Sequence, residues 1–293
     1  MVRALFTFLF ICCLTAAVFA QASGTSYVPA GSVAVVSVDW MKVRKDTRLR
    51  TIVKGDDFEK ILEAVGISES AVREFVIFAD ANPTSNNKLG LIVRGDFNSV
   101  NLKKESWSTE KIGTRTVFVN PTDDSCFISL RRGLLVAGTR TAVEQVAGVL
   151  TNPKNALVRR KNFQRVLAGL GTASPINFFL GVPEEYRATA NFAHKVATKL
   201  LSFADFGILS TIFEKVGLIQ SCGMSITAAK QGLPVHLIVE MPGTPQAYVA
   251  SSALNFLKSG ASMLSRSDPN KAAARSMNIT SKRDLLSIKM TLP

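Results

Sequence analysis

The sequence predicts an α+β protein of two related strand–helix–hairpin–helix–hairpin units. It implies an antiparallel or mixed sheet with helices packed on one face, similar to ferredoxin-like folds. Three observations lead there. Segments that alternate apolar and small or polar residues take turns along the chain with segments of helical spacing. The stretch "SCFISLRRGLL" at 125–135 aligns without gaps on "SMNITSKRDLL" at 276–286, pairing Ile128 with Ile279, Arg132 with Arg283 and Leu134-Leu135 with Leu285-Leu286. That match is displaced by 151 residues, and "LIV" at 91–93 recurs at 237–239, displaced by 146. Similar displacements are what one supersecondary unit used twice requires. The first unit is expected over 27–152 and the second over 153–293.

The elements follow in order. After Pro29 and Gly31, Val33 to Asp39 alternates and reads as the opening strand. Phe58, Ile61, Leu62 and Val65 have helical spacing, ended by Gly66. Strands follow at 75–79 and 89–94, joined by the polar turn "NPTSNNK", and a short amphipathic piece surrounds Val100 and Leu102. Strands are predicted at 115–119, 126–130 and 134–138, then a helix over 141–150. The basic helix at 157–170 links the halves. "SPINFFLGVP" at 174–183 opens the second unit. Pro183-Glu184-Glu185 starts a long apolar helix running towards Gly217, because proline fits a first turn and acids favour the positive end of the helix dipole. Its stripe of Phe192, Val196, Leu200 and Phe203 reads as core or as a docking surface. A hairpin at 222–227 and 235–240, a helix after Pro245 and a closing hairpin at 276–291 complete the chain. Flexibility is expected at Ser23–Ser26, 82–88 and 265–276.

The N-terminus indicates export. Arg3 precedes an uncharged run, "ALFTFLFICCLTAAVFA", at 4–20, and small residues at Val18 and Ala20, or at Ala20 and Ala22, suit signal peptidase. Seventeen uncharged residues fall short of the ~20 that span a bilayer as a helix. Residues 1–22 therefore read as a signal peptide, and the mature chain as a periplasmic or extracellular protein with no transmembrane segment. Cys12 and Cys13 leave with the peptide. Cys126 and Cys222 remain, either bonded to each other or buried singly in strands.

Charge is the strongest bias. The chain has 35 Lys and Arg against 22 Asp and Glu, a net +13. Basic residues concentrate in "KVRKDTRLR" at 42–50, in "VRRKNFQR" at 158–165 and at two hairpin tips. Such faces suit anionic lipid, an anionic envelope polymer or an acidic protein. The candidate contact residues are Arg131, Arg132, Arg159, Arg160, Lys161, Lys282 and Arg283. Nucleic acid is disfavoured, since export separates the two and no aromatic stacking motif accompanies the basic runs.

Catalytic chemistry leaves little trace. The chain has two histidines, His194 and His236. With Cys126 and Cys222 they have metal-ligand types but none of the close spacings of zinc sites, so no metal is expected. No Gly-x-Ser-x-Gly elbow, Walker loop or dinucleotide fingerprint occurs, and "GLGTAS" at 169–174 lacks the third glycine. No cofactor is expected. The adjacent acids Asp56-Asp57, Asp123-Asp124 and Glu184-Glu185 diverge in either helix or strand, so none forms an acid/base pair. The first expectation is thus a non-enzymatic exported binding protein. The second is a hydrolase whose site is assembled from dispersed residues, with a histidine, an acid and a serine in one pocket. The third is a peripheral membrane-surface protein.

The phrases "YVPAGSVAVVSVDWMKV" at 27–43, "LGLIVRGDF" at 89–97 and "LLVAGTRTAVEQV" at 134–146 resemble a group of uncharacterised secreted bacterial proteins. The likeness is carried mainly by the first half. It implies an exported, duplicated α+β protein and supplies no catalytic or binding residues.

Overall fold

The computed structural model describes residues 23–53, 62–63, 66–80, 89–97, 107–112, 115–120, 125–131, 133–171, 174–182, 219–263, 273 and 275–292. Twelve strands form one sheet, and every pairing in it is antiparallel. The strands are β1 (Ser32–Asp39), β2 (Val72–Asp80), β3 (Leu89–Gly95), β4 (Ser108–Ile112), β5 (Arg115–Val119), β6 (Ser125–Arg131), β7 (Leu134–Thr139), β8 (Ile176–Gly181), β9 (Ser221–Ile226), β10 (Leu233–Glu240), β11 (Asn278–Lys282) and β12 (Leu285–Leu292). Their order is β11-β12-β10-β9-β8-β1-β2-β3-β7-β6-β5-β4. The sheet is continuous across the middle, where Val36 of β1 faces Phe178 of β8 and Ser37 faces Asn177. Outward from this seam the order is β1-β2-β3-β7-β6 on one side and β8-β9-β10-β12-β11 on the other.

Two expectations are corrected. The order is not that of a ferredoxin-like fold. There the strands flanking a helix are parallel and split by another strand; here β1 and β2 are antiparallel neighbours. Nor do the helices keep to one face. Five α-helices have both ends among the described residues: α1 (Trp40–Val43), α2 (Thr47–Val53), α3 (Arg140–Thr151), α4 (Lys161–Leu170) and α5 (Thr244–Met263). On one face Trp40, Val43 and Leu49 of α1 and α2, with Ala247 of α5, join Val38, Phe75, Val93, Leu180, Met224 and Leu237 in a single core. On the other face Val143 and Val146 of α3, with Phe163 and Val166 of α4, cover Val35, Val76, Ile92 and Phe179. Consecutive apolar residues follow from this. In β1 Val33, Ala34 and Val35 are all buried, because side chains on both faces meet helices.

The local chemistry of each element is ordinary. Thr139 caps α3 by accepting from the Ala142 amide, and Val143, Val146 and Val149 supply its buried stripe. In α4 Phe163, Val166 and Leu170 lie one and two turns apart on the sheet side, where Phe163 meets Phe179 edge-on at 4.9 Å. The helix comes close because β9 carries Gly223: a Cβ there would lie 2.3 Å from Cγ1 of Val166. Residues 23–26, expected to be flexible, instead begin a short 3-10 helix (Gly24–Tyr27) tied to β2. Glu74 accepts from Ser23 Oγ at 2.6 Å and from the Gly24 amide at 3.0 Å.

The cysteine question is settled by strand order. Cys126 sits on β6 and Cys222 on β9, with five strands between them. At about 4.8 Å per strand the two backbones are roughly 25–30 Å apart, against the ~7 Å limit for a disulfide. Cys222 is a free, buried thiol, and burial pushes its pKa well above the usual thiol value. The apolar helix proposed over 183–217, with its phenylalanines and His194, lies outside the described residues, as do the pieces around Phe58 and Val100.

Candidate functional site: a basic sheet end and a central cleft

The sheet has two ends, one where β1 begins and one where it finishes. Strand register sorts the seven candidate cations between them. Lys282 pairs with Leu285, which pairs with Glu240, which pairs with Ser221, which pairs with Gly181. The β11–β12 tip carrying Lys282 and Arg283 is therefore at the beginning end. Arg159, Arg160 and Lys161 precede or open α4 at the same end, where Arg160 donates to the Ala30 carbonyl at 2.9 Å. Arg131 pairs with Leu134, which pairs with Arg94, so it lies at the finishing end. Arg132 lies outside the described residues. The two look-alike hairpin tips thus point to opposite ends, and the seven residues do not form one patch.

Arg165 of α4 ties the five that share an end to one scaffold. One guanidinium nitrogen reaches the buried Glu240 carboxylate at 2.6 Å, and another reaches Asp284 at 2.5 Å, next to Arg283. Ser221 Oγ donates to the second Glu240 oxygen at 2.5 Å. Hydrogen bonding to Arg165 holds the Asp284 carboxyl below the usual carboxylate range, and Asp284 raises Arg165 in return. The nearby acids are consumed in this way. Arg159, Lys161, Lys282 and Arg283 are exposed, and none of them forms an ion pair among the described residues. In the basic run at 42–50, at the other end, three of the five cations pair with acids, while Arg44 donates to the Ser70 carbonyl at 3.0 Å and Lys45 is exposed. Lys42 pairs with Asp39 at 3.0 Å, Arg48 with Asp46 at 2.8 Å and Arg50 with Glu69 at 3.9 Å.

A cleft of about 470 Å³ opens at the finishing end, over the β1/β8 seam. Val35 and Ser37 of β1 and Asn177 and Phe179 of β8 line its floor. Phe163, Val166, Leu167 and Leu170 of α4 make an apolar wall, and Ser23, Thr25, Glu74 and Arg94 make a polar one. Arg94 and Glu74 form a half-buried pair at 2.9 Å. The sequence reading missed these residues. Glu74 and Arg94 sit in separate strands 20 positions apart, and only the β2–β3 register makes them opposite. A charge inside an otherwise apolar strand, as in "VREFVIF", was the one available signal.

No assembled histidine site appears among the described residues. His236 Nε2 lies 2.9 Å from Ser287 Oγ on the neighbouring strand, outside the cleft lining. Burial lowers its pKa, and the positive charge of Lys289 adds to that. The described residues contain no cluster of three or more histidine, cysteine or acidic side chains suited to a metal. They also contain no helix long and apolar enough to cross a membrane, which leaves strand-built spanning unaddressed.

These features define an α+β protein with a large antiparallel sheet and few helices. Two solved structures share that fold. Crystal form III of TP0453 matches with a TM-score of 0.52 at 13% identity, covering 93% of this chain and 94% of that one. Crystal form I of TP0453 matches with a TM-score of 0.50 at 12% identity, covering 93% of both. At this identity the likeness is one of fold. No protein-family model matches the chain, and no curated protein matches it significantly.

Proposed function

We propose that this chain is an exported, non-enzymatic binding protein of the bacterial envelope or exterior, and that the sheet end where β1 begins contacts an anionic partner. One observation carries the reading. Lys42, Arg48 and Arg50 of the 42–50 run are paired with acids and leave Lys45 as that run's exposed cation outside an ion pair, whereas Arg159, Lys161, Lys282 and Arg283 gather four such cations at one end, none of them in an ion pair among the described residues. Paired charges are screened by their partners; unpaired ones set the field that an anionic lipid surface or envelope polymer meets. The signal-peptide pattern at 1–22 supports export, and the net +13 supports the sign of the partner.

The test is co-sedimentation of residues 23–293 with phosphatidylcholine vesicles and with vesicles rich in phosphatidylglycerol, at low and high salt. Binding is expected only to the anionic vesicles and is lost at high salt. Arg283 has a φ of 56°, a left-handed conformation that glycine adopts without strain. Lys282→Gln with Arg283→Gly therefore removes two charges while favouring the turn. At about 1 kcal/mol per basic residue near an anionic surface, the pair should weaken binding roughly 30-fold. Binding that ignores salt and this double variant would overturn the assignment.

We also infer that the two halves are copies of one unit. The strand orders outward from the seam support it, since both sides continue through a second and third strand to a hairpin whose later strand lies inside. The sequence matches support it too. The 125–135 and 276–286 stretches fall on β6–β7 and β11–β12, and the "LIV" triplets fall on β3 and β10. Each match joins strands of equal rank.

A further inference from the structure

The charges around the central cleft are already taken. Arg94 is bound to Glu74, Lys42 to Asp39, and Arg73 to Asp96 through two nitrogens at 2.9 and 2.7 Å. Glu74 is also saturated: it accepts from Ser23 Oγ, the Gly24 amide and Arg94, with Ser37 Oγ at 3.5 Å. What remains without a partner on the floor is neutral. Asn177 Oδ1 is buried and has no hydrogen-bond partner. Its orientation is not arbitrary, because Nδ2 donates to the Ser174 carbonyl at 2.9 Å, and exchanging the two atoms would set oxygen against oxygen. A buried acceptor left unmet is unfavourable, and native structures supply such groups with a donor. Asn177 lines the same cleft as the apolar wall of Phe163, Val166, Leu167 and Leu170. A volume near 470 Å³ is within the range of small-molecule pockets, which join a mostly apolar surface to a few placed polar groups.

We propose that the cleft over the β1/β8 seam binds an uncharged amphiphile, its apolar body against α4 and a hydroxyl or amide N–H donated to Asn177 Oδ1. The paired charges argue against an anionic head group. A carboxylate or phosphate placed here would face Glu74 and Asp39, with the cations of the cleft already engaged. The site is at the opposite end of the sheet from the exposed cations and does not depend on their role, so either can fail alone.

The probe is N-phenyl-1-naphthylamine, an uncharged amphiphile with one N–H, whose fluorescence rises in apolar surroundings. Residues 23–293 should enhance it. Decanol and monodecanoylglycerol should displace it about tenfold better than decyl methyl ether, which lacks the donor, or decanoate, which carries a charge. Asn177→Leu should bring decanol down to the level of the ether while the ether still binds. Leu167→Gln, a half-buried change on the wall, should weaken every competitor. Circular dichroism and a cooperative melt confirm folding of each variant. Folded protein that gives no enhancement, equal displacement by decanol and the ether, stronger displacement by decanoate, or selectivity that survives Asn177→Leu would each overturn the proposal.

Discussion

Arg165→Met probes the join between α4 and the second half of the sheet. The Glu240 side chain is 4% exposed and the Arg165 side chain 43% exposed, so one member of the pair is dry and the other wet. Breaking a fully buried pair costs about 3–5 kcal/mol, and an exposed pair contributes about 0–1 kcal/mol. The half-wet geometry places the loss between these, at about 2 kcal/mol. Glu240→Gln keeps an acceptor for Ser221 Oγ and removes the charge that Arg165 serves. In the double variant the uncompensated carboxylate is gone, so the two losses should fall short of additive by about 1–1.5 kcal/mol. Urea denaturation of the four proteins measures this. The acid limb gives a second readout. Asp284 is held below its unfolded pKa, so its stabilisation is full above the ordinary carboxylate range near pH 4. It fades as pH drops through the lowered folded value. Arg165→Met should flatten that limb. A single-variant loss under about 0.5 kcal/mol, or strict additivity, would refute the reasoning.

Gly223→Ala places a methyl 2.3 Å from Val166 Cγ1 and 2.8 Å from Leu170 Cδ1. These are side-chain atoms that can shift, so the expected cost is about 1–3 kcal/mol of overpacking in a urea melt, with reduced probe binding in the cleft as α4 moves. His236 is held neutral by burial and by Lys289. The unfolded histidine takes up a proton near pH 6.5 while the folded ring resists, so stability should fall as pH drops from 7 to 5. His236→Gln should remove that slope, and an unchanged slope would show that other groups produce it.

The strands were legible because alternation and β-branched content survive in a single sequence: the strand read at 33–39 is β1 within one residue, and the hairpin expected over 276–291 is β11–β12. The short α1 and α2 were hidden in "WMKVRKDTRLR", where charge masks a thin apolar stripe of Trp40, Val43 and Leu49. β4 was hidden because "STEKI" is an edge strand with four exposed residues and shows little hydrophobic signal. The two-faced sheet could have been read from runs such as Val33-Ala34-Val35, since three adjacent buried residues cannot all point one way. The cleft could not. Its polar groups come from the 3-10 segment at 23–27 and from β1, β2, β3 and β8, and only the folded order brings them together.

That order yields the last prediction. Cutting the chain between Asn152 and Pro153 separates β1 from β8. It also strips from the first half the segment that bridges Pro29 to Ala156 and accepts from the Ala30 amide through Asn155. Each fragment would expose an inner strand along its whole edge, with Val35, Phe178, Phe179 and Leu180 uncovered. At about 1.5–3 kcal/mol for each large apolar side chain, the loss reaches on the order of 5–10 kcal/mol, comparable to the whole stability of a domain. Neither fragment should melt cooperatively alone, and refolding them together should restore one transition. A cooperative melt from either fragment by itself would sink the claim that the seam is structural. The same reasoning bears on a duplicated origin. A single unit would present the β1 edge bare, and the antiparallel pairing of β1 with β8 is the contact that two copies related by a two-fold axis would make across that edge. If the halves are copies, joining them in one chain would keep that contact at any protein concentration.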